Sequence, residues 1–369
     1  MDKFSADLIH KIFIWVPIKS LTKLKCVSKS WCKIIDDPLF ALMQYDCGKV
    51  DEKTLLLSTI NHSESTTSLY AAVCSDDEED RMIRAATVPM VKVQTRSGIF
   101  GSCNGLLYFA DAYAGSIVVS NPVRSQFTIL PPTPFKMYCW ESYYSAIGLG
   151  FDSLTKTFKM VCTNQPGSTQ ITLVHTLGTS SWREVPSFPA YYCGHVDSRS
   201  VFVHGFLHWM MDSSMIKNGR GRILAFDVSK ETFEVVPHPQ LSFEKHMDNY
   251  FRILDFKGNL GMLDLSSGTK FDLWVMDYDK KSWSKELTID ISIVGKIHVD
   301  ITQVIGLWKR DEILFLFSQR DCSRRGFVEY WSYGMRTGNL KECEDQSSNA
   351  QVFSLKGSLI SIPDAMEVS

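Results

Sequence analysis

Residues 4–40 read FSADLIHKIFIWVPIKSLTKLKCVSKSWCKIIDDPLF. Their apolar positions recur at helical spacing: Leu8, Ile9, Ile12, Phe13 and Val16, then Leu21, Leu24 and Val27, then Trp31, Ile34 and Ile35. The spacing predicts three short helices. Ser5 is placed to cap the first, with Asp7 in its first turn, where negative charge meets the positive end of the helix dipole. Pro17 stops that helix after Val16, because proline pushes the residue before it out of the helical region. Ser28 is placed to cap the third helix, and Pro38, following Asp36 and Asp37, to close it. About forty residues are too few to bury this many apolar positions among themselves. A protein partner is the economical completion.

The order Asp7-Leu8, Ile12, Val16-Pro17-Ile18-Lys19-Ser20-Leu21, Lys25-Cys26-Val27-Ser28-Lys29-Ser30-Trp31 and Asp37-Pro38-Leu39-Phe40 closely resembles the F-box of plant F-box proteins. Phe4-Ser5 stand where such motifs usually open with Leu-Pro; Phe4 still offers an apolar side chain and Ser5 still starts a helix. By this resemblance Phe4, Leu8, Ile12, Val16, Pro17, Leu21, Leu24, Val27 and Trp31 are expected to contact a Skp-type adaptor, and through it cullin and RING subunits.

The whole chain, 369 residues with 44% hydrophobic and 22% charged, has the composition of an ordinary globular protein of one or two domains. A net charge of −2 gives no bulk reason to expect a nucleic acid or an anionic membrane as partner. The charge is uneven, since residues 1–50 hold eight lysines and five aspartates with no Arg or Glu. Lys19, Lys23, Lys25, Lys29 and Lys33 could form a basic rim for an acidic partner or a merely solvated face. Ten cysteines without metal-ligand pairing read as reduced thiols of a cytoplasmic or nuclear protein. Ile12–Val16 is too short, and too interrupted by His10, Lys11 and Pro17, for a membrane span or signal core.

Ala41 to Lys53 reads as a short helix or connector, and after residue 46 the pattern changes, with 47–53 as connector. Leu55–Leu57 and Leu69–Val73 look like strands, and the acidic run Asp76–Asp80 like an exposed loop. From Val91 onward short apolar runs bend at turns: around Gly105, around Gly205 within Val201–Met210, around Gly258 within Ile253–Leu263, around Arg310-Asp311 within Val304–Phe317, and around Gly357 within Val352–Ile362. A second strand pair follows in most units, as in Ile117–Leu130, Ile223–Val236, Leu273–Leu287 and Tyr330–Leu340, with Gly148–Val185 as a variant member. The turn centres recur roughly every 45 to 55 residues, the period of four-stranded propeller blades. The expected fold is therefore α+β multidomain: a small helical domain over 1–46, then an all-β propeller of about six blades over 54–369. Pairing 351–362 with 54–73 would close the ring and remove two free edges.

This second region resembles the F-box-associated domain found behind the F-box in a large plant family that includes the pollen S-locus F-box proteins. The matching phrases are Cys103-Asn104-Gly105-Leu106-Leu107, Asn121-Pro122 with Leu130-Pro131-Pro132, Gly150-Phe151-Asp152 with Phe158-Lys159-Met160-Val161, Ser181-Trp182-Arg183, Gly205 with His208-Trp209, and Ile223–Asp227.

Candidate chemistry is sparse. Gly101-Ser102-Cys103-Asn104-Gly105 has the spacing of a nucleophile elbow, but that motif joins a strand to a helix, and Leu106–Phe109 continues as strand. His204 and His208 are four apart without the helix or the following Glu that a zinc pair of that kind needs. Trp182, Trp209, Trp274 and Trp283 fall where large rings fill the wedge between blades. No cofactor motif is visible. Two aromatic stretches do stand between strands, 137–144 and 189–195. Tyr138, Trp140, Tyr143, Tyr191, Tyr192 and His195 are the candidates for holding a target, since loop aromatics give rigid contact area with a polar handle. The expected function is a non-catalytic substrate receptor of a Skp–cullin–F-box ubiquitin ligase. The alternative is a propeller enzyme or small-ligand binder whose N-terminal helices merely pack on the propeller.

Overall fold

The computed structural model describes residues 6–363 except 48–52, 75–81, 86–88, 96, 112–114, 135–145, 165–169, 189–198, 212–222, 240–250, 268, 293–298, 309–310, 321–325 and 346–350. Four helices come first: α1 (Ala6–Phe13), α2 (Ile18–Leu24), α3 (Lys29–Ile35) and α4 (Pro38–Cys47). The sequence spacing predicts three, with Pro38 as a terminator and a short helix or connector from Ala41. Pro38 instead opens α4, because a proline in the first helical position loses no hydrogen bond. Asp37 Oδ1 caps that helix, accepting from the backbone N–H of Leu39 at 2.8 Å and of Phe40 at 3.0 Å. Ser28 caps α3 as expected, its Oγ accepting from Trp31 N at 3.1 Å.

Behind the helices stands a six-bladed propeller. One blade holds Gly101–Cys103, Leu106–Asp111, Ser116–Asn121 and Gln126–Ile129; the next, Ala146–Asp152, Thr157–Asn164, Ile171–Thr176 and Arg183–Val185. These are called the second and third blades below. The fourth holds Val201–Val203, Phe206–Met210, Ile223–Asp227 and Thr232–Val236, and the fifth Phe251–Phe256, Asn259–Asp264, Lys270–Asp277 and Ser282–Asp290. The sixth holds Val299–Trp308, Glu312–Arg320, Gly326–Gly334 and Leu340–Asp345. The first blade is built from both ends of the domain: Gln351–Lys356 pairs antiparallel with Lys53–Asn61 (Leu55 opposite Ser354), which pairs with Thr66–Cys74. Two short strands share its outer position, Val91–Val93 and Met82–Ala85. Met82–Ala85 also pairs in parallel with Leu340–Asp345, so blades six and one form one continuous sheet. The ring closes as the sequence pattern predicts, though only through 351–356. Residues 357–363 lie off the ladder, contrary to the second strand expected after Gly357.

Two turn chemistries repeat around the ring. Asn104-Gly105, His204-Gly205 and Lys257-Gly258 each place both residues at positive φ, 46 to 52° then 81 to 83°. Such two-residue turns match the twist of the flanking strands. Five further hairpins open on an Asx residue whose Oδ1 accepts from the backbone N–H groups two and three positions on: Asn61, Asn121, Asp152, Asp227 and Asp277. Each is followed four residues later by a left-handed residue: Ser65, Ser125, Lys156, Glu231 or Lys281.

Gly105→Ala is expected to destabilise the chain clearly more than Gly205→Ala. Both substitutions force a side chain into the left-handed region, costing about 1–2 kcal/mol. At Gly105, however, an added Cβ would stand 2.2 Å from Ser358 Cβ, whereas nothing lies within 4 Å of it at Gly205. Urea midpoints of the two variants check this; equal midpoints would contradict it.

Apolar side chains fill the seams between neighbouring blades. Trp209 occupies such a wedge, fully buried, with Nε1 donating to Ile147 O at 3.1 Å. The other three tryptophans expected there are only half-buried. Trp182 and Trp283 instead latch outer strands to the preceding blade, donating to Pro131 O at 2.8 Å and Pro237 O at 2.6 Å. Trp274 lies under Lys285, whose Nζ is 5.2 Å from the ring centre.

A charged seam joins the third and fourth blades. Lys159 is buried, and its Nζ meets Asp152 Oδ2 and Glu231 Oε1, each at 2.8 Å, and Val228 O at 3.0 Å. Glu231 also accepts a two-point contact from Arg183, and Asp152 accepts from Ser229 Oγ at 2.7 Å. Burial alone would raise both carboxyls, but hydrogen bonds from Lys159 and Ser229 hold Asp152 well below the usual carboxylate range. Bonds from Arg183 and Lys159 do the same for Glu231.

Candidate adaptor-docking surface and recognition face

Successive strands of each blade run antiparallel, which sorts the connections onto two faces. Turns joining first to second and third to fourth strands lie on one face; links joining second to third strands, and one blade to the next, lie on the other. The chain passes from α4 into the second strand of the first blade, on the first of these faces. The F-box-like helices are seated there. Arg124, in a turn of that face, pairs with Asp36 at 3.0 Å, and the core of the helices (Phe13, Leu21, Ile35, Phe40) is continuous with Leu106, Tyr108 and Leu359 of the propeller.

The helices are apolar on more than one side. Ile9, Phe13 and Ile14 of the first helical segment face inward, with Phe13 edge-on to Trp31 at 5.0 Å. Leu8 and Ile12 face outward, 43% and 52% exposed, and Trp15 is 65% exposed. Val27, Leu39 and Met43 extend the set of exposed apolar side chains. Six of the eleven large exposed hydrophobics among the described residues thus belong to the helical domain. Such a concentration marks a binding surface rather than chance exposure.

The expected contact residues divide accordingly. Leu8, Ile12, Pro17 and Val27 are exposed; Val16, Leu24 and Trp31 are half-buried against the domain's own core; Leu21 is fully buried within it. Phe4 lies outside the described residues. Trp15, Leu39 and Met43 are further exposed apolar side chains that the spacing did not single out. An α-helix would align Val16 with Ile12, but the chain tightens after Phe13 into three-residue bonds, Trp15 N to Ile12 O at 3.1 Å and Val16 N to Phe13 O at 3.0 Å. In that geometry positions three apart eclipse, so Trp15 joins Ile12 outside and Val16 turns inward. Leu39 and Met43 follow from α4, which begins at Pro38 rather than within the short helix or connector expected from Ala41.

Of the lysines considered as a rim, Lys19, Lys23, Lys29 and Lys33 are exposed. Lys25 is not free, being bound to Asp36 Oδ1 at 2.7 Å. Burial works against ionisation of Asp36, yet bonds from Lys25, Cys32 and Arg124 keep its carboxyl lowered.

The candidate target-binding residues Tyr138, Trp140, Tyr143, Tyr191, Tyr192 and His195 lie outside the described residues, as does the acidic run. The strands that flank 135–145 and 189–198 end and begin on the face opposite the helices. Cys103 is a buried strand thiol, pushed well up by burial, before a strand-to-strand turn. His208 donates from Nδ1 to Val201 O at 3.2 Å, which leaves Nε2 to accept from Tyr278; burial pushes it down to about 4. His204 turns instead to Asn259 Oδ1 at 2.9 Å. Among the described residues no three His, Cys, Asp or Glu are grouped to hold a metal ion, and no helix is long and apolar enough to cross a membrane.

Comparison with known families decides the identity. The model described as F-box associated beta propeller domain matches residues 44–364, and the F-box domain model matches residues 1–42. The chain belongs to the F-box proteins with an F-box-associated β-propeller. An F-box/kelch-repeat protein of Arabidopsis thaliana is 27% identical over 77% of this chain and 78% of its own length. A putative F-box protein of the same plant is 24% identical over 91% and 84%, and F-box protein DOR 25% over 93% and 88%. A solved oligogalacturonate lyase in complex with manganese superposes with a TM-score of 0.41 at 6% identity, over 76% of this chain and 74% of that one. In this F-box protein the helical domain implies interaction with a Skp-type adaptor.

Proposed function

We propose that this F-box protein is a non-catalytic substrate receptor of a Skp–cullin–F-box ubiquitin ligase, working in the cytosol or nucleus. The observation that carries the reading is the concentration of exposed apolar side chains on the helical domain, Leu8, Ile12, Trp15, Val27, Leu39 and Met43. Each such side chain contributes roughly 1.5–3 kcal/mol when buried, before ordering costs. The family to which the chain belongs supports a Skp-type adaptor as the occupant, with cullin and RING subunits recruited behind it. The propeller's opposite face, where the links between blades run, is the place for a target protein. The receptor then performs no bond chemistry. It holds a target at high effective concentration beside a charged ubiquitin carrier. Cysteines outside any disulfide, both buried (Cys103, Cys162, Cys343) and exposed (Cys26, Cys47), suit a reducing compartment.

Reconstitution with adaptor, cullin, RING subunit and ubiquitin carrier tests the reading. Ubiquitin is expected to transfer to this chain's own lysines in the absence of a target, and only when the helical domain is intact. Assembly with the adaptor but no transfer to this chain or to any captured protein would overturn the ligase role.

A further inference from the structure

Two domains joined by a short connection ordinarily move relative to one another unless a substantial interface fixes them. Here the connection between Cys47 and Lys53 is short, and a separate element does the fixing. Residues 357–362, which leave the propeller's ladder, run between the F-box and the second blade. Asn121, fully buried, supplies the bonds that the ladder would have given: its Nδ2 donates to Ser358 O at 3.0 Å and Ile360 O at 2.7 Å. Its Oδ1 meanwhile shapes the turn carrying Arg124, accepting from Val123 N at 3.0 Å.

Arg124 Nη1 then reaches both sides of the junction, Asp36 Oδ1 of the F-box at 3.0 Å and Leu359 O at 3.1 Å. At Gly357 the approach is close: an added Cβ would lie 3.1 Å from Val123 and 3.6 Å from Ile18 of α2. On the other side Lys356 Nζ lies 4.5 Å from the centre of the Tyr45 ring and donates to the Tyr45 carbonyl. Leu359, Ile360 and Ile362 are buried in the same apolar cluster as Leu21, Ile35 and Phe40.

We infer that the C-terminal segment 357–362 is an orientation strut, and that Arg124 is a positioning residue that locks the F-box to the propeller through Asp36 and Leu359. Because the adaptor is on one side of this lock and the target on the other, the angle it sets selects which lysines come within reach of the ubiquitin carrier. Lysine selection rests on the ligase reading above; the lock itself does not.

The test is a distance distribution on the full chain, from dyes placed by unnatural amino acids at exposed Lys33 and exposed Leu154, read by single-molecule energy transfer. The unaltered chain and Arg124→Lys should give one narrow peak. Arg124→Glu, which sets a carboxylate against Asp36 and the Leu359 carbonyl, should lose that peak to a broad distribution, with melting of the propeller and capture of the adaptor unchanged. In the reconstituted ligase the map of self-modified lysines, read by mass spectrometry, should widen in the same variant. If Arg124→Glu folds poorly, Asp36→Asn probes the same contact from the F-box side. An unchanged peak in both variants overturns the lock, and a widened peak with an unchanged lysine map overturns lysine selection. Failure of the unaltered chain to capture the adaptor would instead count against the ligase reading, while the distance distribution still decides the lock.

Discussion

Lys159→Met is expected to destabilise the propeller by about 3–5 kcal/mol, the usual cost of removing one partner from a buried ion network. The methionine would fill the space, but Asp152, whose side chain is only 2% exposed, would keep its charge with Ser229 as its remaining side-chain donor from the fourth blade. Glu231 would suffer less, since Arg183 still grips it. Equilibrium unfolding in urea measures the loss. A change under about 1 kcal/mol would mean that the seam relaxes to admit water, as exposed ion pairs do at little cost.

The loss depends on pH. In the unaltered protein Asp152 and Glu231 are held below their ordinary values. Their contribution is therefore complete above the unfolded carboxylate range near about 4 and is lost as pH falls through the lowered folded values. In Lys159→Met the loss of the cation leaves burial less opposed, so the folded value of Asp152 rises from its lowered position. The variant should then recover part of its deficit as pH falls into the acid range, where its Asp152 takes up a proton before that of the unaltered protein. A deficit that is flat over that range would contradict the assignment of Lys159 as the charge partner.

The second large effect lies on the adaptor side. Ile12→Asp with Trp15→Ala is expected to weaken adaptor capture by at least about 100-fold, about 2.7 kcal/mol, while the domain stays folded. Both side chains are more than half exposed, so neither change opens a cavity. Leu21→Asp would also abolish capture, by a different route. Leu21 is fully buried, and a carboxylate there would unfold the helical domain rather than spoil its surface. Capture by titration calorimetry, with helical signal by circular dichroism, separates the two. A folded double variant that binds as tightly as the parent would show that the adaptor does not use this face.

Much of this architecture was legible in the residues because one pattern repeats. Asn104-Gly105, His204-Gly205 and Lys257-Gly258 announce their turns, and five Asx turns announce five more, so a ring of about six blades closed by its two ends is the expectation that the spacing supports. What the spacing hid was local. Pro38 reads equally as a stop or as a first helical residue, and only the Asp37 cap decides it. Trp15 and Val16 exchange sides because one turn tightens, which no fixed period anticipates. Gly357–Ile362 has the composition of a strand, yet a single buried side chain, Asn121, draws it off the sheet. The contact of Asp36 with Arg124, 88 positions apart in sequence, leaves no local signal at all.

The most direct measurement is the binding of a purified plant Skp-type adaptor to the full chain, by size-exclusion chromatography at micromolar concentration. The expected result is a one-to-one complex that Ile12→Asp with Trp15→Ala dissolves and Lys33→Ala leaves intact. A folded full chain that elutes apart from the adaptor would contradict it, and the exposed face of the helices would then need another partner.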